Sequence, residues 1–241
     1  MLFRLNLRFT LRVEECYLQP YSDSRERLFP VTVRSFFVFL KPVVLNTGKP
    51  ISVSMKKAYI DIETNYVGKK SEENPEKKFM NDHENHLLTI VGIYLVDGDK
   101  KEVNQLVGDE CTKENILKAL NGVDELVTYN GRSKEDHIYG FTGFDFPVIR
   151  AQTELLLDER FHHTDLCVVC WEKGLKGGLK KIEKKLGIER EDGGIRDGKE
   201  AMKMWREYNR TGDLEILERL KAYNREDIVN LVLLEQKLAE Y

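Results

Sequence analysis

Between Lys57 and Thr64 the chain reads Lys-Ala-Tyr-Ile-Asp-Ile-Glu-Thr. Side chains alternate across an extended strand, so Ile60 and Ile62 turn toward a core while Asp61 and Glu63 share the opposite face. Such a strand demands a fold that covers one of its faces with apolar residues and gives two carboxylates a role on the other. A solvated face would satisfy them, and so would a hard, oxygen-seeking cation. With 15 Asp and 26 Glu in 241 residues, roughly one or two Asp-x-Glu triplets arise by chance. The strand alone therefore does not decide.

Two further clusters lie downstream. A strand-like run from Leu126 to Tyr129 ends at Asn130-Gly131, a turn signal. After a polar stretch, Gly143-Phe144-Asp145-Phe146-Pro147 opens a helix-like segment in which Asp145 suits the N-cap and Pro147 the first turn. N-capping accounts for Asp145 by itself, although a carboxylate there can also face a metal. Near the C-terminus Leu214, Leu217, Leu220, Ile228, Leu231, Leu234 and Leu238 recur at helical spacing. Tyr223 and Asp227 lie one turn apart on that helix and share a face, as residues of a solvated face also do.

The joint order carries more weight than any one cluster. Tyr59-Ile60-Asp61-Ile62-Glu63-Thr64, then Thr128-Tyr129-Asn130-Gly131 with Phe144-Asp145-Phe146-Pro147, then Tyr223-Asn224-Arg225-Glu226-Asp227-Ile228 resemble the three motifs of the DEDD superfamily of 3′-to-5′ exonucleases, in its Tyr-containing subgroup. Within it the chain is most similar to the YprB-like group of predicted exonucleases and, more distantly, to the proofreading domain of family B DNA polymerases. His163-Thr164-Asp165-Leu166 and the stretch from Gly178 to Ile188 also resemble that group. The likeness runs from about Lys56 to Tyr241. One departure is an insert from Arg132 to Gly143, where the group joins its turn almost directly to the Phe-Asp pair; it reads as a surface excursion beside the site.

The resemblance implies an α/β, ribonuclease H-like fold, a mixed sheet flanked by helices. It also implies a two-metal phosphodiesterase in which Asp61, Glu63, Asp145 and Asp227 bind two Mg²⁺ or Mn²⁺ ions. Four crowded carboxylates raise one another's pKa without a cation, which favours the same conclusion physically. Tyr223 completes the catalytic set by orienting water, since a phenol is a poor base at neutral pH. Thr64, Asn130, Phe144 and Lys180 are the expected substrate contacts. The expected substrate is DNA or RNA with a free 3′ end, single-stranded. Two other readings are a catalytically silent nucleic-acid-binding module, which would be expected to have lost an acid, and a ribonuclease H-like endonuclease, which the Tyr one turn before the last acid disfavours.

A net charge of −3 does not advertise nucleic-acid binding, so metals and a local basic surface must supply it. Lys173, Lys176, Lys180, Lys181, Lys184 and Lys185 form the densest basic stretch. Leu179, Ile182 and Leu186 mark the buried stripe of a helix there, leaving the lysines outside as a solvated or phosphate-contacting face. Gly174 to Gly178 lacks the Gly-Lys-Ser/Thr ending of a phosphate-binding loop, which excludes a nucleotide triphosphatase of that type. Cys16, Cys111, Cys167 and Cys170 read as thiols rather than a disulfide framework. His83 and His86 read as surface residues, and Trp171 and Trp205 as core anchors.

No 18-residue apolar run occurs, and no signal peptide is indicated. A cytoplasmic enzyme with no membrane partner is the expectation. Residues 1–54 hold six of the eleven Phe and six Arg to two Lys, against nine Arg to 21 Lys afterwards. That shift reads as a small β-rich or disordered appendage, or as a mis-assigned start upstream of Met55, the latter being favoured. Residues 55–241 then form the nuclease domain. Its expected strands cover Lys57 to Thr64, Leu87 to Leu95, Lys101 to Val107, Glu125 to Tyr129 and Phe161 to Leu166. Helices are expected from Asn115 to Leu120, from Pro147 to Leu157 and toward the C-terminus, with an exposed loop from Asn65 to Asn85.

Overall fold

The computed structural model describes residues 55–68, 79–131, 143–190 and 194–241. The expectations for residues 1–54, for positions 132–142 of the insert and for the middle of the 65–85 loop lie outside the described residues.

Five strands form one sheet: β1 (Lys57–Tyr66), β2 (His86–Asp97), β3 (Lys100–Val107), β4 (Glu125–Thr128) and β5 (His162–Asp165), in the order β3-β2-β1-β4-β5. β1 to β3 form an antiparallel meander, while β4 runs parallel to β1 and β5 parallel to β4. β1 thus lies at the centre, extending to Tyr66 and taking Asn65 and Tyr66 out of the expected loop.

The helices are α1 (Lys113–Ala119), α2 (Asp145–Thr153), α3 (Leu157–Arg160), α4 (Leu166–Glu172), α5 (Leu179–Leu186), α6 (Gly198–Thr211) and α7 (Leu214–Glu240). They cover both faces of the sheet, as expected of a mixed sheet flanked by helices. On one face Ala58, Ile60 and Ile62 of β1 pack with Ile116, Leu120, Phe146 and Ile149. On the other, Tyr59 packs with Leu166, Cys170, Ile182, Leu231, Leu234 and Leu238. A further cluster joins Ile90 to Trp205, Leu220 and Tyr223. Burial of side chains such as Ile60 and Phe146 contributes about 1.5–3 kcal/mol each.

α7 is the element that brings the site together. Asp213 caps it, accepting a hydrogen bond from the Glu215 N–H at 2.9 Å. Its buried stripe runs Leu220, Tyr223, Asn224, Asp227, Ile228, Leu231, Leu234, Leu238, so polar residues interrupt an otherwise apolar seam where it crosses β1. Among the described residues no helix is long and apolar enough to cross a membrane.

Several local expectations are corrected. Asp145 is the first helical residue of α2, not its N-cap; Phe144 holds that position, without a side-chain cap bond. His86 is fully buried rather than on the surface, bonded to Thr64 Oγ1 at 3.0 Å and the Phe79 carbonyl at 2.8 Å. The run after β5 is helical from Leu166 onward, where a strand residue was expected. Cys167 and Cys170 are buried free thiols and Trp205 is a core residue, as read.

Candidate metal centre and active site

Alternation along β1 puts Asp61 and Glu63 on the face that α7 crosses, just beyond Tyr59. Carboxylate oxygens of Asp61, Glu63 and Asp227 lie within 4.8 Å of one another. Glu63 and Asp227 are buried, and Asp61 keeps part of its surface exposed. The pairing of β1 with β2 is irregular between Glu63 and Thr64, a local break of the kind that re-aims side chains beside active sites.

Asp145 approaches from α2: it is not one of the three acids whose oxygens meet within 4.8 Å, but its charge acts on Glu63. The strand end β4 holds it there through a latch: Phe144 N–H donates to the Asn130 carbonyl and Phe146 N–H to the Gly131 carbonyl, both at 2.7 Å. Asn130 has φ 69°, a conformation that Asn tolerates better than most residues. Its N–H donates to Asp165 Oδ1 at 2.8 Å, and that oxygen also accepts from the Cys167 N–H at 2.9 Å. The insert therefore leaves and rejoins the chain without separating the turn from Asp145. Asp145 is buried, and among the described residues its Oδ2 has no hydrogen-bond partner, nor has Asn130 Oδ1.

Electrostatics show the crowding. Burial raises the pKa of Asp61 well above the ordinary carboxylate value, with the Asp227 charge adding to it and the Asn224 amide and Arg190 opposing. Glu63 is raised by burial and then by Asp61, Asp227 and Asp145. Asp145 is raised by burial and then by Asp61, Asp165 and Asp227. Asp227 rises only to about 6, burial being opposed by Arg190.

Arg190 belongs to none of the sequence motifs, yet it meets the site. Its guanidinium donates to Asp227 Oδ1 at 2.5 Å and to Glu183 Oε2 at 2.6 Å, and lies 3.4 Å from Glu226. Glu183, on α5, is fully buried and also accepts from Asn230 Nδ2 at 3.1 Å. A signal existed: Glu183 sits next to Ile182 on the buried side of α5, but among four lysines a lone acid reads as solvated.

The remaining expected residues divide. Tyr223 is buried beside Asp227, and burial followed by the neighbouring acids pushes its phenol far above its ordinary value. Lys180 stacks over the Tyr223 ring at 4.5 Å, while its ammonium donates to the carbonyls of Ile195 and Arg196 at 2.7 and 2.8 Å. It is therefore turned toward the loop before α6, unlike the exposed Lys181, Lys184 and Lys185. A cavity of about 440 Å³ opens beside Glu63, lined by Ile62, Thr64, Phe79, Phe144 and Met202 among others. Thr64 and Phe144 thus share one space next to the acids.

The all-oxygen donor set and the orphaned Asp145 oxygen fit a hard divalent cation such as Mg²⁺ or Mn²⁺, with Asp61, Glu63 and Asp227 as its nearest ligands. No curated protein matches the chain. The profile of the family RNase_H_2, described as RNase_H superfamily, matches residues 58–239. That span takes in the sheet, the acids and nearly all of α7, and the chain belongs to the RNase H superfamily.

Proposed function

We propose that the protein is a metal-dependent 3′-to-5′ exonuclease acting on DNA or RNA, with residues 55–241 as its catalytic domain. Membership of a ribonuclease H-like superfamily points to nuclease activity in general. The observation that carries the finer reading is the meeting of the Asp61–Glu63 couple with Asp227 within 4.8 Å, beside a Tyr one helical turn away.

Asp61, Glu63, Asp145 and Asp227 would hold two divalent ions. Bound there, such ions supply charge stabilisation for the phosphodiester and lower the pKa of an attacking water. The chain's residues do the rest. Tyr223 keeps its proton, because burial and the adjacent acids disfavour the phenolate, and so can donate a hydrogen bond that orients water or phosphate. Thr64 and Phe144 line the cavity beside Glu63, where an aromatic face can stack on the terminal base of a single strand. Asn130, in the latch, fixes Asp145 and is the proposed polar contact of the second motif. Lys180 adds positive potential that lowers the pKa values of Glu63 and Asp227.

The test is incubation of purified protein with end-labelled DNA and RNA strands in Mg²⁺, Mn²⁺ or chelator. A ladder shortening from the 3′ end, only with metal, is expected. Internal cuts would replace the exonuclease with an endonuclease, and binding without cleavage would leave a nucleic-acid-binding module.

A further inference from the structure

Across the sheet, Asp61 of β1 faces Gly92 of β2, and Gly92 faces Gln105 of β3. The central position of this row has no side chain. Asn224 of α7, fully buried, fills the space: a Cβ built on Gly92 would lie 2.2 Å from Asn224 Oδ1 and 2.9 Å from its Cγ and Nδ2. The amide makes a complete set of contacts there. Its Nδ2 donates to the Asp61 carbonyl at 3.2 Å and to Asp61 Oδ2 at 3.1 Å. Its Oδ1 accepts from Gln105 Nε2 at 2.9 Å, and Gln105 is itself anchored on the Lys221 carbonyl at 2.8 Å.

We infer that Asn224 is a positioning residue for cation binding: seated in the gap over Gly92 and oriented by Gln105, it fixes the Asp61 carboxylate for its metal. The inference rests on the two-cation reading above. Because the Lys221 carbonyl holds the Gln105 N–H₂ on this side, Gln105 offers Asn224 a donor; the Asn224 amide therefore turns its oxygen to Gln105 and its N–H₂ to Asp61. Asp61 therefore meets a donor in one fixed direction, and one of its oxygens is held before any cation arrives. Groups that orient a ligand carboxylate in this way typically account for about 10–100-fold in metal affinity. A merely structural amide would affect folding without altering affinity in the folded protein.

Calorimetric Mn²⁺ titration of the full chain tests this without relying on catalysis. Asn224→Ala is expected to weaken Mn²⁺ binding at least about tenfold and to lower kcat on a labelled strand with little change in KM. Gly92→Ala, which pushes the amide from its seat, should produce a similar loss. Combined with Asn224→Ala it should add little, because the methyl group then enters vacated space. Should Asn224→Ala fail to fold, Gln105→Leu, which frees the amide to turn, is expected to give a smaller loss in the same direction. Unchanged Mn²⁺ affinity in folded Asn224→Ala, or full additivity with Gly92→Ala, would overturn the positioning role while leaving the nuclease reading intact. If the unaltered protein bound neither Mn²⁺ nor Mg²⁺, both would fall.

Discussion

α7 meets β1 at two places about two helical turns apart, and they handle negative charge in opposite ways. At the β1 entry end, Glu235 is met by Lys57 Nζ at 2.6 Å and by the Tyr59 hydroxyl at 2.5 Å, and Lys57 also reaches Glu125 at 3.1 Å. Burial alone would lower the Lys57 pKa, but its two carboxylate partners raise it overall. Two turns away, among the described residues, Asp61, Glu63 and Asp145 have no ion pair with Lys or Arg, and Arg190 reaches only Asp227 of the four acids. One end of the seam is balanced by the chain itself. The other gathers buried carboxylates with too few cations of the chain's own, so that they either hold protons or invite a divalent cation.

The sharpest break of this comparison is to remove an acid from the unbalanced end. Asp61→Ala or Asp227→Ala should lower metal-dependent hydrolysis of a labelled strand at least about 1000-fold, roughly 4 kcal/mol of barrier, in a protein that still folds by circular dichroism. Undiminished hydrolysis by Asp61→Ala would remove the assignment. Next in size is Arg190→Met, which leaves Glu183 buried without its cation; denaturant unfolding should show a loss of about 3–5 kcal/mol. A milder pair addresses charge balance directly. In chelator, Asp145→Asn should raise Tm by about 2–4 °C by relieving repulsion, whereas Glu235→Gln should lower it by a similar amount. Shifts of the same sign would mean that the two ends do not differ.

The smallest effect is pH dependence. Because the folded protein holds protons more tightly than the unfolded chain on Asp61, Glu63, Asp145 and Asp227, its stability falls as pH rises. For Asp227 the fall begins near the unfolded carboxylate value of about 4 and extends through about 6. Thermal unfolding in chelator should therefore show declining Tm across that window. Saturating Mn²⁺ should flatten or reverse the trend, since cations bind the ionised acids.

How much of this was legible in the sequence depends on range. β1, β2 and α7 could be read because their patterns are local: alternation at Ile60 to Glu63, and a leucine stripe repeated over many turns. The short helices α3 and α4 were less so, since Val168-Val169 between two cysteines suits a strand as well as a helix until packing decides. Asp145 looked like a cap because its neighbours are those of a helix start; the latch from Asn130 and Gly131, which sets where that helix begins, is a contact across the insert. His86 sits amid polar neighbours in the sequence, a surface pattern, whereas Tyr66, Phe79 and Phe144 enclose its ring in space. Glu183, Arg190, Gln105 and Gly92 show their purpose only when α5, α7 and three strands are superposed in space, and no pattern along the chain records that.

The latch also has a practical consequence. Where the chain departs after Gly131 and returns at Gly143, paired main-chain bonds at the stem hold its two ends together, and closing a longer excursion on such a stem costs only a few tenths of a kcal/mol more. A reporter peptide or a small folded cargo spliced into that stretch should leave the clustered carboxylates undisturbed, which makes it the natural graft point in this protein.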